Sequence, residues 1–295
     1  MTLTSVRPRG AHSGPRRWTG RRAPLSLPVR IGLAAVATLL SSILIAALLF
    51  FLAGGRWFIV QTPSMGETAP VGTLMLTTPS LHTAVGDIIT FHPPTAPNET
   101  FTHRVIAITD QGISTQGDIN GAIDPWMLAP TDIIGEAAVI LPAAGWFVKA
   151  LPLVAIGAAL VWLVSSMFRT AARRSAVRIA GFSFVVAAAA YILRPLIGVV
   201  VLSTNADETG AHATVVSTGI LPIRVQAVGG TSADLVTGQV GSLDIPSLVD
   251  SSQYHLSSAL NMSLVGWIVL GAICALPLLW SIIVGLPAEN EEFPA

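Results

Sequence analysis

The chain is 295 residues long, 52% hydrophobic, only 11% charged and without net charge. Soluble domains carry about a quarter charged residues, so this composition, with a mean hydropathy of +0.68, argues against an ordinary soluble domain and points to the bilayer. The single cysteine, Cys274, excludes an intrachain disulfide framework and reads as a small packing residue in an apolar run.

Residues 1–30 hold seven arginines among Pro and Gly, with little apolar periodicity, and read as a disordered basic tail. Such a tail can bind anionic lipid or nucleic acid, but a signal that keeps the N-terminus in the cytoplasm is the simpler reading. Residues 31–53 are apolar and uncharged. At about 1.5 Å per residue they cross a hydrocarbon core of about 30 Å. A cleavable signal peptide has a core of about 7–15 residues, so this run reads as an uncleaved anchor, the first transmembrane helix.

Residues 54–145 are a polar-competent block of short β-type runs: Phe58–Val60, Thr73–Leu76, Asp87–Phe91, His103–Thr109 and Asp132–Ala137. Turn residues separate the first four, among them Pro70, Gly86-Asp87, Pro93-Pro94 and Asp110-Gln111-Gly112. The pattern predicts a compact, mostly β domain. A second span follows at 146–168, then a basic linker at 169–178 and a third span at 179–202. Arg194-Pro195 interrupts that third span. An ionisable group inside a span is a functional candidate by default, although a helix break at Pro195 would let Arg194 snorkel or pair within the bundle. Residues 203–262 form a second polar block, expected to be β, with strands around Ala213–Ser217 and Ile223–Val228. A fourth span at 263–286 and an acidic tail at 287–295, with Glu289, Glu291 and Glu292, complete the chain.

Charge tests this layout. With the N-terminus inside, four spans place residues 1–30 and 169–178 in the cytoplasm, and those segments hold eleven of the sixteen basic residues. That is the positive-inside asymmetry. The expected protein is a multi-pass plasma-membrane protein, with both termini cytoplasmic and both polar blocks outside.

Just beyond the first span stands Thr62-Pro63-Ser64-Met65, followed later by Thr102-His103-Arg104-Val105-Ile106, by Gly117-Asp118-Ile119-Asn120, and by Asp124. Serine, histidine and an acid are the parts of an activated-hydroxyl hydrolase. Other candidate bases are His82, His92 and Lys149, the only lysine of the chain. His82 and His92 have no acid motif and read as loop residues. With one cysteine and scattered histidines there is no metal-ligand spacing, and no phosphate-binding or dinucleotide glycine pattern occurs. No metal, no cofactor and no nucleic-acid partner is expected.

The order and wording of these motifs resemble type I signal peptidases of family S26. The resemblance is to the Ser–His branch of the endoplasmic reticulum, archaea and some Gram-positive bacteria. It covers residues 31–145. It implies that Ser64 is the nucleophile, His103 the general base where other members use lysine, Asp124 the orienting acid and Asp118 a supporting residue. Thr62 joins the Ser64 backbone N–H in the oxyanion hole, and Gly86-Asp87 is a structural turn. Together with the spans and blocks read above, the expected fold is a multi-span α-helical membrane protein carrying an extracytoplasmic, mostly-β catalytic domain, with a second small β outer domain that lies beyond the stretch the resemblance covers. The implied activity is a serine endopeptidase that removes signal peptides from secretory preproteins, with the lipid bilayer and the secretion translocon as further partners. The chain departs from the family at Ser64-Met65-Gly66-Glu67-Thr68, where Ser-Met-x-Pro-Thr is usual. Glu67 in place of that proline predicts a more mobile loop. The competing readings are a non-catalytic membrane scaffold that keeps the peptidase fold and assists surface-protein assembly, and a four-span transporter. The transporter lacks paired polar residues within its spans.

Overall fold

The computed structural model describes residues 26–80, 82–207, 210–245 and 255–284. Of the tail read over residues 1–30, residues 1–25 lie outside the described residues and Leu27 onward is helical, so the first helix starts earlier than expected. The tail read over 287–295 lies outside the described residues. The chain divides into two units, Met1–Leu49 and Phe50–Ala295. Helix α1 (Leu27–Leu52) holds nearly all the described residues of the first, and its last three residues belong to the second.

Among the described residues, three helices are long and apolar enough to cross a membrane: the Arg30–Leu52 stretch of α1, α2 (Ala144–Ser166) and α3 (Ala171–Leu193). A fourth, α4 (Leu264–Val284), carries the apolar stretch Leu264–Ala275. Helix α3 corrects two expectations. It begins at Ala171, so Arg173, Arg174 and Arg178 lie on its first turns rather than in a linker, and only 167–170 connect it to α2. It ends at Leu193, so the expected span at 179–202 is displaced toward the N-terminus. The residue before a proline is pushed out of helical geometry, and Arg194 caps the helix in the left-handed region at φ 51°. Arg194 therefore stands at a helix end, and Val199–Leu202 enter a strand. Gly157 faces Val185 and Gly181 faces Val161, which sets α2 and α3 side by side and antiparallel. Small residues allow that close approach.

The first β block is a six-stranded antiparallel sheet. Its strands are β1 (Arg56–Ile59), β2 (Leu74–Thr78), β3 (Ile88–Phe91), β4 (Phe101–Thr109), β5 (Gly112–Gln116) and β6 (Ile133–Leu141), in the spatial order β1-β2-β6-β3-β4-β5. Alternate residues point to opposite faces of a strand. On β2 this buries Met75 and Thr77, and on β5 Ile113 and Thr115. One cluster gathers Ile89, Phe91, Val105, Ile113 and Leu128, and a second gathers Met65, Ala69 and Met75. Strand β5 carries no apolar run, and its existence did not show in the sequence.

The second block holds β7 (Val199–Asp207), β8 (Gly210–Ser217), β9 (Ile223–Ala227), β10 (Ser232–Leu235), β11 (Val240–Ile245) and β12 (Leu256–Leu260). They form two three-stranded sheets, β10-β9-β12 and β11-β8-β7. Ile223, Val225 and Leu235 of one sheet share a core with Ala213, Val215, Leu243 and Ile245 of the other. Two sheets closing on one apolar layer make a small sandwich.

Candidate active site

Strand β4 supplies two neighbouring side chains to two different acids, because successive residues point to opposite faces. His103 turns inward and is 4% exposed, with its ring edge-on to Phe91 and Phe101. Arg104 turns outward. The His103 Nδ1–H donates to Asp124 Oδ2 at 2.6 Å, and the Thr115 hydroxyl of β5 donates to the same oxygen at 2.6 Å. The Asp124 backbone N–H donates to the Thr115 carbonyl at 2.9 Å, which ties the loop after β5 back onto the strand. With Nδ1 carrying the proton, Nε2 presents its lone pair. The Ser64 Oγ lies 3.1 Å from that nitrogen.

Ser64 sits on a single 3₁₀ turn, Pro63–Met65, with Thr62 at its N-cap. Pro63 suits the first helical position because it has no N–H to satisfy. Met65 is buried and anchors the turn in the core. Backbone N–H groups at the start of a helical turn have no partner within it, so the Ser64 N–H is suited to receive developing negative charge. Thr62 Oγ1 lies 3.4 Å from Ser64 Oγ, at the weak limit of a hydrogen bond but on the same side as the nucleophile.

Gly117-Asp118-Ile119-Asn120 holds this turn from below. The Ile119 N–H donates to the Ser64 carbonyl at 3.0 Å. A methyl group on Gly117 would stand 2.7 Å from Asn120 Nδ2 and 2.8 Å from the Ser64 carbonyl oxygen. No side chain fits there. Asp118 receives Arg104 through both oxygens, at 2.9 and 2.7 Å, and the Thr68 hydroxyl at 2.6 Å. Partial burial pushes the Asp118 carboxyl up. The hydrogen bonds from Arg104 and Thr68 and the positive charge of Arg104 outweigh it and hold the group below the usual carboxylate range. The same hydrogen bond raises Arg104 above the usual guanidinium value, against desolvation. Arg104 also donates to the Gly86 carbonyl at 2.9 Å, which ties the Gly86-Asp87 turn to this pair.

The structure thus brings Ser64, His103 and Asp124 into one hydrogen-bonded line, with Thr62 beside it and Asp118 on the adjoining Arg104. Sequence reasoning missed Thr115, a threonine on a strand without a motif. It also missed Arg104 and Thr68 as the partners of Asp118, although both stand inside quoted motifs. His92 donates through Nδ1 to the Glu99 carbonyl, and His82 is exposed; neither is paired with Ser64. Lys149 is distant from Ser64 in sequence yet lines the same cleft, with its Nζ over the Trp146 ring. The cleft has a volume of about 700 Å³ and runs past Ser64, His103, Trp57, Phe101, Glu99 and Lys149. Trp57 is exposed at its edge, whereas Met65 belongs to the core. Chemically, a hydroxyl facing an imidazole that a buried carboxylate orients is an arrangement suited to acyl transfer through a serine ester.

Residues 32–122 match the family model described as signal peptidase, peptidase S26. The matched stretch includes Ser64, His103 and Asp118 and ends just before Asp124. It supports that family, and with it a signal-peptidase-type serine protease in general. No match was found among curated proteins.

Proposed function

We propose that this chain is a membrane-anchored signal peptidase of the Ser–His–Asp type. The observation that carries the reading is the continuous line Ser64 Oγ, His103 Nε2, His103 Nδ1, Asp124 Oδ2, with contacts of 3.1 and 2.6 Å. His103 takes the Ser64 proton as Oγ attacks the scissile carbonyl, then delivers it to the leaving amine. Asp124, held by Thr115, fixes the tautomer and stabilises the imidazolium. The Ser64 N–H and the Thr62 hydroxyl receive the oxyanion. Water, activated by His103, then releases the acyl group and restores the serine. Asp118 acts through Thr68, whose N–H donates to the Met65 carbonyl, and through Ile119 on the backbone around Ser64. Lys149 takes no part in proton transfer, because the Ser64 hydroxyl faces the imidazole.

The substrates are secretory preproteins, cut after the small residues that end their signal peptides. The three long apolar helices support a bilayer setting, and the arginine distribution supports a cytoplasmic N-terminus with both β blocks outside. A substrate whose signal peptide lies in the bilayer requires such a placement. A scaffold without activity has no use for a buried His–Asp pair aimed at a serine.

Co-expression with a preprotein bearing an Ala-x-Ala site tests the reading. Wild type is expected to process the precursor, and Ser64→Ala and His103→Ala to leave it uncut. Equal processing by wild type and Ser64→Ala across several precursors would remove the catalytic claim.

A further inference from the structure

The sandwich at 199–260 has no part in the chemistry above, yet one of its turns reaches the loop behind the nucleophile. Gly238, in the turn between β10 and β11, is buried at φ +79°. A methyl group on it would stand 2.5 Å from the Gly66 carbonyl oxygen and 2.9 Å from the Glu67 Cα. Gly66 is also buried, at φ +53°. A methyl group there would stand 2.5 Å from Ile119 Cγ2 and 3.5 Å from the Gly238 carbonyl oxygen. Two main chains therefore touch with no side chain between them, and Gly66 is held between the turn and Ile119 beneath it.

Both partners of this contact are stiff. On the sandwich side, the Gln239 N–H donates to the Val236 carbonyl, and the Val236 N–H to Gln239 Oε1, both at 3.0 Å. The Gly238 N–H donates to the Ser217 carbonyl at 2.8 Å and the Ser217 N–H to the Gln239 carbonyl at 3.0 Å, which rivets the turn to β8. On the other side, the Gly66 N–H closes the 3₁₀ turn onto the Pro63 carbonyl at 2.8 Å. A shift of Gly66 therefore moves Ser64. Glu67, where the loop departs from the usual proline, is the residue whose backbone the turn covers.

We propose that the second β block is a positioning element of the protease. Its turn at 236–239 braces Gly66 and Glu67 and so holds Ser64 in line with His103, and Gly238 is the positioning residue. This rests on the serine-peptidase reading and deepens it. Misplacing a reacting group by about 1 Å costs about a hundredfold in rate, and the brace acts on geometry rather than on substrate contact. The expected signature is a fall in kcat with little change in KM.

The test uses the full-length chain in detergent, with a purified Ala-x-Ala precursor, and compares wild type, Gly238→Val and Gly229→Val. Gly229 has a similar φ of +78° but lies in the turn at the other end of β10, so it carries the same backbone strain without the contact to Gly66. Gly238→Val is expected to lower kcat about a hundredfold with KM within about twofold, and to slow fluorophosphonate labelling of Ser64 in parallel. Gly229→Val is expected to keep both near wild type. Equal behaviour of the two variants in an otherwise active enzyme overturns the proposal. A second measurement does not depend on strained positions. Glu67→Cys and Thr237→Cys are combined in a Cys274→Ser background and bridged by a short bis-maleimide. A cross-link supports the brace, and its absence in an active enzyme overturns it. A wild type that cleaves no precursor brings down the peptidase reading itself, and the positioning role with it.

Discussion

Histidine and aspartate meet in both β blocks, and only one meeting has the makings of chemistry. His103 Nδ1 and Asp124 Oδ2 are 2.6 Å apart with side chains 5% and 6% exposed, whereas His212 Nδ1 and Asp244 Oδ1 are 2.8 Å apart with side chains 43% and 59% exposed. The second pair consists of directly opposed residues on β8 and β11, a cross-strand contact of the kind that steadies a sheet by a few tenths of a kcal/mol. The first joins β4 to a loop, excludes water, receives Thr115 and turns its free nitrogen to Ser64. A His–Asp contact is thus no sign of catalysis by itself. Burial makes the difference, and in the buried pair Thr115 fixes the acid and Ser64 stands at the far nitrogen.

That contrast is open to being broken by mutation. His103→Ala is expected to reduce precursor cleavage by about a millionfold, the scale seen when the base of a serine triad is removed. His212→Ala should leave it within about twofold; a comparable loss from both would mean that the second pair also serves the reaction. Asp124→Asn keeps the shape but loses the charge and the tautomer control, and should lower kcat about ten-thousandfold. Thr115→Val removes one hydrogen bond to a buried carboxylate. A cost of about 1.4 kcal/mol, or about tenfold in kcat, is expected, and an unchanged kcat would show that His103 and the backbone hold Asp124 without Thr115.

Asp118 sharpens the comparison through stability rather than rate. Its carboxyl lies below the usual range when folded, so its ionised form binds better in the native state than in the unfolded chain. The stabilisation is fully present above about pH 4, the ordinary aspartate value. It fades as the pH falls through the lower folded value. Thermal melts of wild type and Asp118→Asn should differ at pH 7 and converge in acid. The smallest effect is expected at Arg224 and Asp234, an exposed cross-strand ion pair on β9 and β10. Arg224→Gln should leave the melting temperature unchanged at moderate salt, since such pairs are screened and solvated.

Much of this was readable from residues in order. Length and hydropathy located the apolar helices α1, α2 and α4, because an apolar run needs no distant partner to declare itself. Turn residues and alternation located β1 to β4, β6, β8 and β9. The wording around Ser64, His103, Asp118 and Asp124 pointed to the residues that lie together. The boundaries of α3 were misread because its first turns carry Arg173, Arg174 and Arg178 (polar residues that a helix accepts readily), while Val199–Leu202 are apolar and belong to a strand.

What the sequence by itself determined is whatever depends on neighbours along the chain: apolar length, strand alternation, the break at Pro195 and the residue types of the site. Tertiary structure alone decided which acid receives which base. His103 and Arg104 are adjacent in sequence, and only the pleat of β4 sends one to Asp124 and the other to Asp118. It also decided that Thr115 supports the acid, that Lys149 shares the cleft, and that Gly238 meets Gly66 across more than 170 residues of chain. Such contacts leave no local pattern, because the energy that selects them comes from close packing between segments that never meet in the unfolded sequence.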